Sequence, residues 1–202
     1  MELLSQGEEP DTQHIDDGLE MIDESLDGAR RVGDIVKGLR ELSRLEIGTR
    51  EPANVNASVS RVVHTELGES ANVSVQLDAR FMADIPPLQL DQVLGHLLRN
   101  ARLATPKREK IFVRTWQVND LVMVQVQDEG QGIMKENLRR VFEPFFTTRG
   151  VGKGIGLGLT AAYGIVKRVG GDIEAQSDGP GKGSTFTVRL PLAERQSLAD
   201  VA

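Results

Sequence analysis

The residues whose types and spacing could do chemistry lie between positions 128 and 159. Asp128 follows an apolar run and precedes Gly130 and Gly132, so an acid and two glycines stand where a strand is predicted to end. Glycine then occupies every second position over 152–158, and a helical pattern follows directly. In such a loop, free N–H groups and the positive end of the helix dipole converge on an anion. The pattern predicts a phosphate cradle with a mobile lid.

Two well-known glycine motifs fit this stretch less well. Residues 156–161 match the spacing of a dinucleotide-binding fingerprint, but that motif follows a strand directly, and here a polar loop precedes it. A P-loop requires Ser or Thr after Gly-Lys, whereas Gly follows both Lys153 and Lys182. Glycines that only make turns are a third interpretation, but four at alternate positions cost a packed element much backbone entropy.

Asn100 is a second candidate for chemistry. It lies inside an apolar helical pattern over 88–104. Asn is neutral to unfavourable in the middle of a helix unless its amide is used, so its presence suggests a ligand or metal role. An exposed or capping Asn is an equally open interpretation.

Composition limits the possible classes of function. The 202 residues are 39% hydrophobic, enough for one domain of about 150 residues and an arm. The absence of cysteine excludes disulfides and thiolate metal sites. No apolar run approaches the roughly 18 residues that span a bilayer, so we expect a soluble, cytoplasmic chain without a transmembrane segment. The net charge of −6 argues against nucleic acid as a partner.

The first 51 residues differ from the remainder. They hold 14 acidic and 6 basic residues, whereas the other 151 residues hold 16 and 18. Apolar residues recur at steps of four and three from Ile15 to Val36, which predicts a coiled-coil seam. We therefore expect residues 1–48 to form a helical stem that makes a homodimer. An amphipathic helix lying on its own domain is the alternative.

The rest of the chain predicts an α/β fold. Asn56 is expected to cap a helix, and residues 194–202 are expected to form a tail. Helices and strands alternate over 52–193, which indicates a two-layer α/β sandwich with a mixed, mainly antiparallel sheet, preceded by the long N-terminal helix. The predicted helices cover residues 56–67, 88–104 and 160–167, and the predicted strands cover 73–77, 81–85, 111–116, 121–127, 172–177 and 184–190.

Four segments resemble, in order and spacing, motifs of the sensor histidine kinases and of the wider ATPase group that includes gyrase B, the Hsp90 chaperones and MutL. Residues 92–101 look like the asparagine box, 128–132 like the first glycine box, 142–148 like the phenylalanine box and 154–159 like the second glycine box. The phenylalanine box and short lid favour a histidine kinase similar to the nitrogen-regulation class. Residues 24–45 resemble the second helix of the dimerisation and phosphotransfer hairpin.

The resemblance implies a function and assigns roles. ATP or ADP would bind, and the γ-phosphoryl would pass to a histidine for relay to a response regulator receiver domain. Asp128 would accept the adenine amino proton, Gly130 and Gly132 would let the backbone approach the purine, and Thr185 would support the same edge through a water. Asn100 would bind Mg²⁺. Lys153 and Asn100 would be the catalytic residues. Residues of the lid and its flanks would contact the nucleotide and its phosphates: Phe145, Thr147, Thr148, Arg149, Lys153, Gly154, Gly156, Leu157, Gly158 and Leu159.

The sequence departs from the family pattern in three ways. His96 replaces a usual Asn and Ile155 a frequent Thr or Ser, so weaker metal and phosphate contacts are expected. If His96 is itself a ligand, imidazole would favour Mn²⁺ or Zn²⁺ over Mg²⁺. No His is followed by the acceptor pattern, and neither His14 nor His64 matches it. We therefore expect that this chain alone does not autophosphorylate.

Two further functions stay open on the sequence. One is an inactive relative that binds nucleotide as a regulatory module. The second is an ATPase of the gyrase and MutL type, which is disfavoured because those enzymes use a Glu base in the box where this chain has His96 and Asn100.

Overall fold

The computed structural model describes residues 12–43, 51–68, 72–106, 109–150 and 154–197. These residues form four α-helices, six strands and two short 3₁₀ helices, at 135–137 and 140–142. The α-helices are α1 (Thr12–Ser43), α2 (Val55–Leu67), α3 (Pro87–Ala104) and α4 (Gly158–Arg168). The strands are β1 (Val73–Leu77), β2 (Phe81–Ala83), β3 (Ile111–Val118), β4 (Leu121–Asp128), β5 (Asp172–Gln176) and β6 (Ser184–Ser197).

The strands form one sheet in the order β1-β3-β4-β6-β2, and β5 also pairs with β6. Only β1 and β3 run parallel among these described strands, and the remaining pairs are antiparallel. β6 is 14 residues long, so its first half pairs with β4 and β5 and its second half reaches β2. The predicted mixed, mainly antiparallel sheet is confirmed.

The core lies between the sheet and helices α2, α3 and α4. Side chains on a strand alternate between its two faces, and on β3 Ile111, Val113 and Thr115 are buried while Arg114 is exposed. The helices meet this face with apolar stripes of period 3.6. The largest fully buried side chains include Val59 of α2, Leu90, Leu94, Leu97 and Leu98 of α3, and Phe186 and Leu190 of β6.

The start of α2 differs from the sequence prediction. Asn54 caps the helix, because its Oδ1 accepts a hydrogen bond of 3.0 Å from the N–H of Ala57. Asn56, the predicted cap, lies inside the helix instead. Its amide donates to the carbonyl oxygen of Ala79 at 2.9 Å and accepts from the hydroxyl of Thr115 at 2.6 Å. Asn56 therefore links α2 to the sheet.

The N-terminal helix α1 contacts α4. Its contact with α4 agrees with the alternative of a helix that lies on its own domain. The predicted seam is nevertheless open to solvent where its side chains are described, with Leu19, Ile22, Leu26 and Val36 about half exposed. In the described ranges, no helix combines the length and apolar character that crossing a bilayer requires.

The link between α2 and the sheet predicts a stability effect. Asn56→Ala removes the acceptor of the buried Thr115 O–H and the donor to the Ala79 carbonyl, while the Thr115 oxygen still accepts from the N–H of Ala79. We therefore expect the free energy of unfolding to fall by about 2–4 kcal/mol. Asn54→Ala removes only a cap and is expected to cost about 1 kcal/mol. Urea denaturation of both variants measures the two effects. If Asn54→Ala lost more free energy of unfolding than Asn56→Ala, the role of Asn56 as the link between α2 and the sheet would be contradicted.

Candidate functional site

A cavity of about 640 Å³ opens between the C-terminal half of α3, the loop after β4 and the segment that leads into α4. This volume suits a ligand the size of a nucleotide. Most of the residues that the sequence predicts at a nucleotide line it. These are Asn100, Gly132, Thr147, Thr148, Arg149, Gly154, Gly156, Leu157, Gly158 and Leu159. Lys153 lies outside the described residues.

Asp128 lies behind the cavity wall at the end of β4, with only 3% of its surface exposed. Its Oδ2 accepts a hydrogen bond of 2.5 Å from the hydroxyl of Ser184, and its Oδ1 accepts one of 2.9 Å from the N–H of Gly130. Burial raises the pKa of this carboxyl above its ordinary value, and the hydrogen bonds partly oppose the rise. Ser184 itself lines the cavity. A buried acid is thus presented at the site together with a hydroxyl.

Ser184, rather than Thr185, accompanies Asp128. In the ladder between β4 and β6, Asp128 is paired with Ser184, and paired residues present their side chains on the same face. Thr185 is paired with Gln127 on the opposite face and does not line the cavity. The structure therefore does not bring the predicted Thr185 to the site. The alternation of side chains along a strand was the signal that could have found Ser184.

The glycines after β4 have packing reasons that the sequence does not reveal. A Cβ on Gly130 would lie 2.2 Å from the carbonyl oxygen of Ala104, at the end of α3. Gly132 has a φ of +69°, and a Cβ there would lie 2.1 Å from the carbonyl oxygen of Gly179. The two glycines therefore let the loop pass between α3 and the β5–β6 turn. Their predicted approach to a purine stays a prediction.

Asn100 faces a cation in this structure. Its side-chain Oδ1 accepts a hydrogen bond of 2.9 Å from Nη2 of Arg149, which also lies 3.4 Å from the Asn100 carbonyl oxygen. Both residues are half-buried, and burial lowers the pKa of the Arg149 guanidinium. Asn100 is therefore not simply an exposed residue. Its amide oxygen is directed towards positive charge at the cavity, which favours the interpretation as a ligand or metal-binding residue.

The phenylalanine-rich segment before the lid holds two half-buried phenylalanines and one exposed phenylalanine. Phe142 packs against Tyr163 and Phe186, with ring centroids 5.4 and 6.4 Å apart. Phe146 lines the cavity. Phe145, the residue predicted at the nucleotide, has a φ of +64° and is 59% exposed. The structure thus brings Phe146 rather than Phe145 to the site, because the left-handed backbone conformation at Phe145 directs its side chain to solvent.

His96 also lines the cavity, four residues before Asn100 on α3. Its Nδ1 lies 3.2 Å from Nη2 of Arg99. Its ring packs at the beginning of α4, where a Cβ on Gly158 would lie 3.1 Å from Nδ1. Within the described part of the chain, no group of three or more His, Asp or Glu side chains is arranged to hold a metal ion.

Comparison with known proteins gives one consistent result. Residues 86–194 match the family model described as histidine kinase-, DNA gyrase B-, and HSP90-like ATPase. Sensor kinase CckA of Brucella abortus is 41% identical over 129 residues, which cover 56% of this chain and 14% of CckA. Signal transduction histidine-protein kinase AtoS of Escherichia coli is 32% identical over 169 residues, which cover 80% of this chain and 27% of AtoS. The chain therefore spans less than a third of either relative.

A solved structure gives the same fold. The catalytic domain of histidine kinase ThkA, in a nucleotide-free form, superposes with a TM-score of 0.61 at 26% sequence identity. The match covers 70% of this chain and 95% of that domain.

The burial of Asp128 predicts a pH-dependent effect on stability. Because its pKa is raised in the folded state, Asp128 contributes less to the free energy of unfolding as pH rises from its ordinary pKa of 3.8 through the folded value. We expect Asp128→Asn to be more stable than the parent near pH 7, and the difference to close at about pH 3. Urea denaturation of both proteins near pH 7 and at about pH 3 measures the difference in their free energies of unfolding. A variant less stable than the parent near pH 7 would mean that the hydrogen bonds outweigh burial.

Proposed function

This chain belongs to the family of histidine kinase-, DNA gyrase B- and HSP90-like ATPases, and from that premise we propose that it supplies the phosphoryl-transfer step of a two-component sensor kinase. It is the ATP-binding catalytic region of such a protein, as the sensor kinases among its relatives indicate. In the proposed reaction, the γ-phosphoryl of ATP passes to a histidine and then to a response regulator receiver domain. The acceptor histidine is supplied by a segment other than the residues of this chain.

The buried pair of Asp128 and Ser184 is the observation that carries the proposal. An ionised carboxylate accepts hydrogen bonds only, and an adenine amino group is a donor. Placing a carboxylate out of water lowers stability unless a ligand or partner uses it. We propose that Asp128 accepts the adenine amino proton and that Ser184 holds the carboxylate and a bridging water at the same edge.

The phosphate chain is proposed to run from this end towards α4. The first turn of α4 begins at Gly158, and the residues before it line the cavity. N–H groups at a helix start have no partners within the helix and attract anions. Arg149, which also lines the cavity, adds a positive charge. Lys153 is proposed to act in the same way.

The donor set at Asn100 fits Mg²⁺. This ion keeps several waters and takes few protein ligands beside phosphate oxygens, and one amide oxygen directed at a cation meets that requirement. When bound, Mg²⁺ would neutralise charge between phosphate groups. Asn100 would hold the ion, while Arg149 and the start of α4 would stabilise the negative charge that spreads over the transferring group. Binding of the ion to Oδ1 would require Arg149 to move from its present partner.

The open face of α1 supports a proposed homodimer. Soluble proteins seldom leave a contiguous apolar stripe uncovered, and the described residues of this seam are about half exposed. We propose that residues 1–48 form the stem and 52–193 the catalytic domain. The tail predicted at 194–202 is corrected, because residues 194–197 belong to β6, which pairs with β2 there. Sedimentation of the full chain beside a variant with Ile22 and Leu26 changed to Asp tests the stem, because only the parent is expected to dimerise.

Nucleotide binding is the first test of the proposed function. Calorimetry with ATP and Mg²⁺ is expected to give a Kd in the micromolar range, about −6 to −8 kcal/mol. Asp128→Asn and Ser184→Ala each remove a polar contact at the adenine end and are expected to weaken binding by roughly 1–3 kcal/mol.

Thr185→Ala is the matched control, since Thr185 is on the opposite face of the same strand. It is expected to bind ATP as the parent does. If Thr185→Ala lost as much ATP affinity as Ser184→Ala, the water-mediated contact would be assigned to Thr185 instead. No heat with millimolar ATP would contradict the function.

Catalysis is tested at Asn100. Asn100→Ala is expected to abolish Mg²⁺-dependent phosphoryl transfer to a separately made hairpin that carries the acceptor histidine. Its fold should persist, because Ala favours a helix by a few tenths of a kcal/mol over Asn. Leu88→Ala, exposed in the first turn of α3 and outside the asparagine box, should transfer normally. The chain without the hairpin should gain no acid-labile phosphate, and a parent that binds ATP but never labels the hairpin would indicate the inactive regulatory module.

A further inference from the structure

A chain of polar contacts leads from the surface of α2 to the cavity. Arg99 of α3 forms an ion pair with Glu66 of α2, and its Nη2 lies 3.2 Å from Nδ1 of His96. Gly95 makes room for this arrangement, since a Cβ there would lie 3.2 Å from Nη1 of Arg99 and 3.3 Å from Oε1 of Glu66. Arg102 adds a second link to α2 by donating to the Glu66 carbonyl oxygen at 2.8 Å. The guanidinium of Arg99 thus contacts Glu66 through Nη1 and His96 through Nη2.

This arrangement decides which nitrogen of His96 carries hydrogen. A guanidinium has only donors, so Nδ1 accepts in its contact with Arg99 and presents a lone pair. In a neutral imidazole the second nitrogen then carries the hydrogen. Resting on the proposed function, we propose that Glu66 and Arg99 hold His96 as the neutral Nε2–H tautomer. His96 then acts in the nucleotide site as a hydrogen-bond donor to a phosphate oxygen.

The position of the ring agrees with that role. His96 lines the cavity and packs beside Gly158, where α4 begins. A side chain at Gly158 would crowd Nδ1 of His96, the atom that contacts Arg99. The start of α4 attracts anions, and a neutral N–H donor beside it adds to the same binding site. Arg99 and Glu66 are therefore positioning residues, which act on the nucleotide through His96.

The tautomer separates this role from three others. A metal ligand, a general base and a phosphoryl acceptor each need an available lone pair on a ring nitrogen. In this arrangement the lone pair of Nδ1 faces Arg99, and Nε2 carries hydrogen. His96 therefore does not replace Asn as a metal ligand, and it does not serve as the base of a gyrase-type ATPase.

The tautomer can be measured directly by ¹⁵N NMR of the histidine side chains in the full chain. The chain has three His residues, and His96→Asn identifies the signal of interest. We expect a single Nε2–H form for His96, whereas His64, exposed on α2, provides a solvent-averaged reference. Arg99→Ala is expected to shift the signal towards a mixture, and Arg99→Lys, which keeps a cationic donor, to restore it in part. An Nδ1–H or doubly protonated His96 in the parent near pH 7 would overturn the proposal.

Binding measurements test the donor role. His96→Ala is expected to weaken ATP binding roughly tenfold, the size of one lost hydrogen bond to a charged group, and to leave adenosine binding unchanged. His96→Asn retains an N–H donor and should recover most of the loss. The preference for Mg²⁺ over Mn²⁺ should be the same in all three proteins.

The outcomes distinguish this inference from the proposed function. A parent that binds ATP while His96→Ala binds equally well would overturn the donor role alone. A fall in Mn²⁺ preference in His96→Asn would show that His96 is a ligand and would also overturn it. A parent that binds no ATP would instead contradict the proposed function, and the tautomer would still be decided by NMR.

Discussion

The site depends on one carboxylate that is kept away from water. Burying the Asp128 charge opposes folding, and two hydrogen bonds, from Ser184 and Gly130, offset only part of that cost. The bond from Ser184 depends on the register of the sheet, which pairs Asp128 with Ser184, whereas the bond from Gly130 is local to the turn after β4. A Cβ at Gly183, just before β6, would lie 1.9 Å from the Asp128 carbonyl oxygen. The ends of β4 and β6 therefore meet because glycine stands at position 183, and the acid is positioned by the sheet.

One face of helix α3 packs into the core, and the opposite face lines the cavity. Leu94, Leu97 and Leu98 are fully buried, whereas His96 and Asn100, four residues apart, line the cavity. Residues at this spacing lie one above the other on a helix, so packing of the apolar face fixes both polar side chains relative to the sheet. A site built on a buried helix keeps its geometry better than one built on loops, because core packing tolerates little displacement.

The sequence predicted the elements and the site far better than it predicted individual contacts. The bounds of α3 and the positions of the six strands followed from periodicity, because burial on one face imposes a period of 3.6 or 2. The misplaced contacts were one or two residues away from the residue that makes them: Asn54 caps α2 in place of Asn56, Ser184 accompanies Asp128 in place of Thr185, and Phe146 lines the cavity in place of Phe145. Strand register would have decided the second. The first depended on where the backbone leaves helical angles and the third on a positive φ at Phe145, and neither can be read from residue types alone.

Arg99 and Arg149 both line the cavity, and nucleotide binding is expected to affect their contacts differently. Arg99 contacts Nδ1 of His96 and forms an ion pair with Glu66 of the neighbouring helix, so its bond can persist when a ligand arrives. Arg149 contacts Oδ1 of Asn100 from the segment before α4. In the proposed function that oxygen coordinates the metal, so Arg149 and the ion compete for it. A hydrogen bond involving a charged group contributes about 1.5–3 kcal/mol, which metal coordination must exceed. Rearrangement on binding should therefore be confined to the lid side, while α2 and α3 keep their contacts.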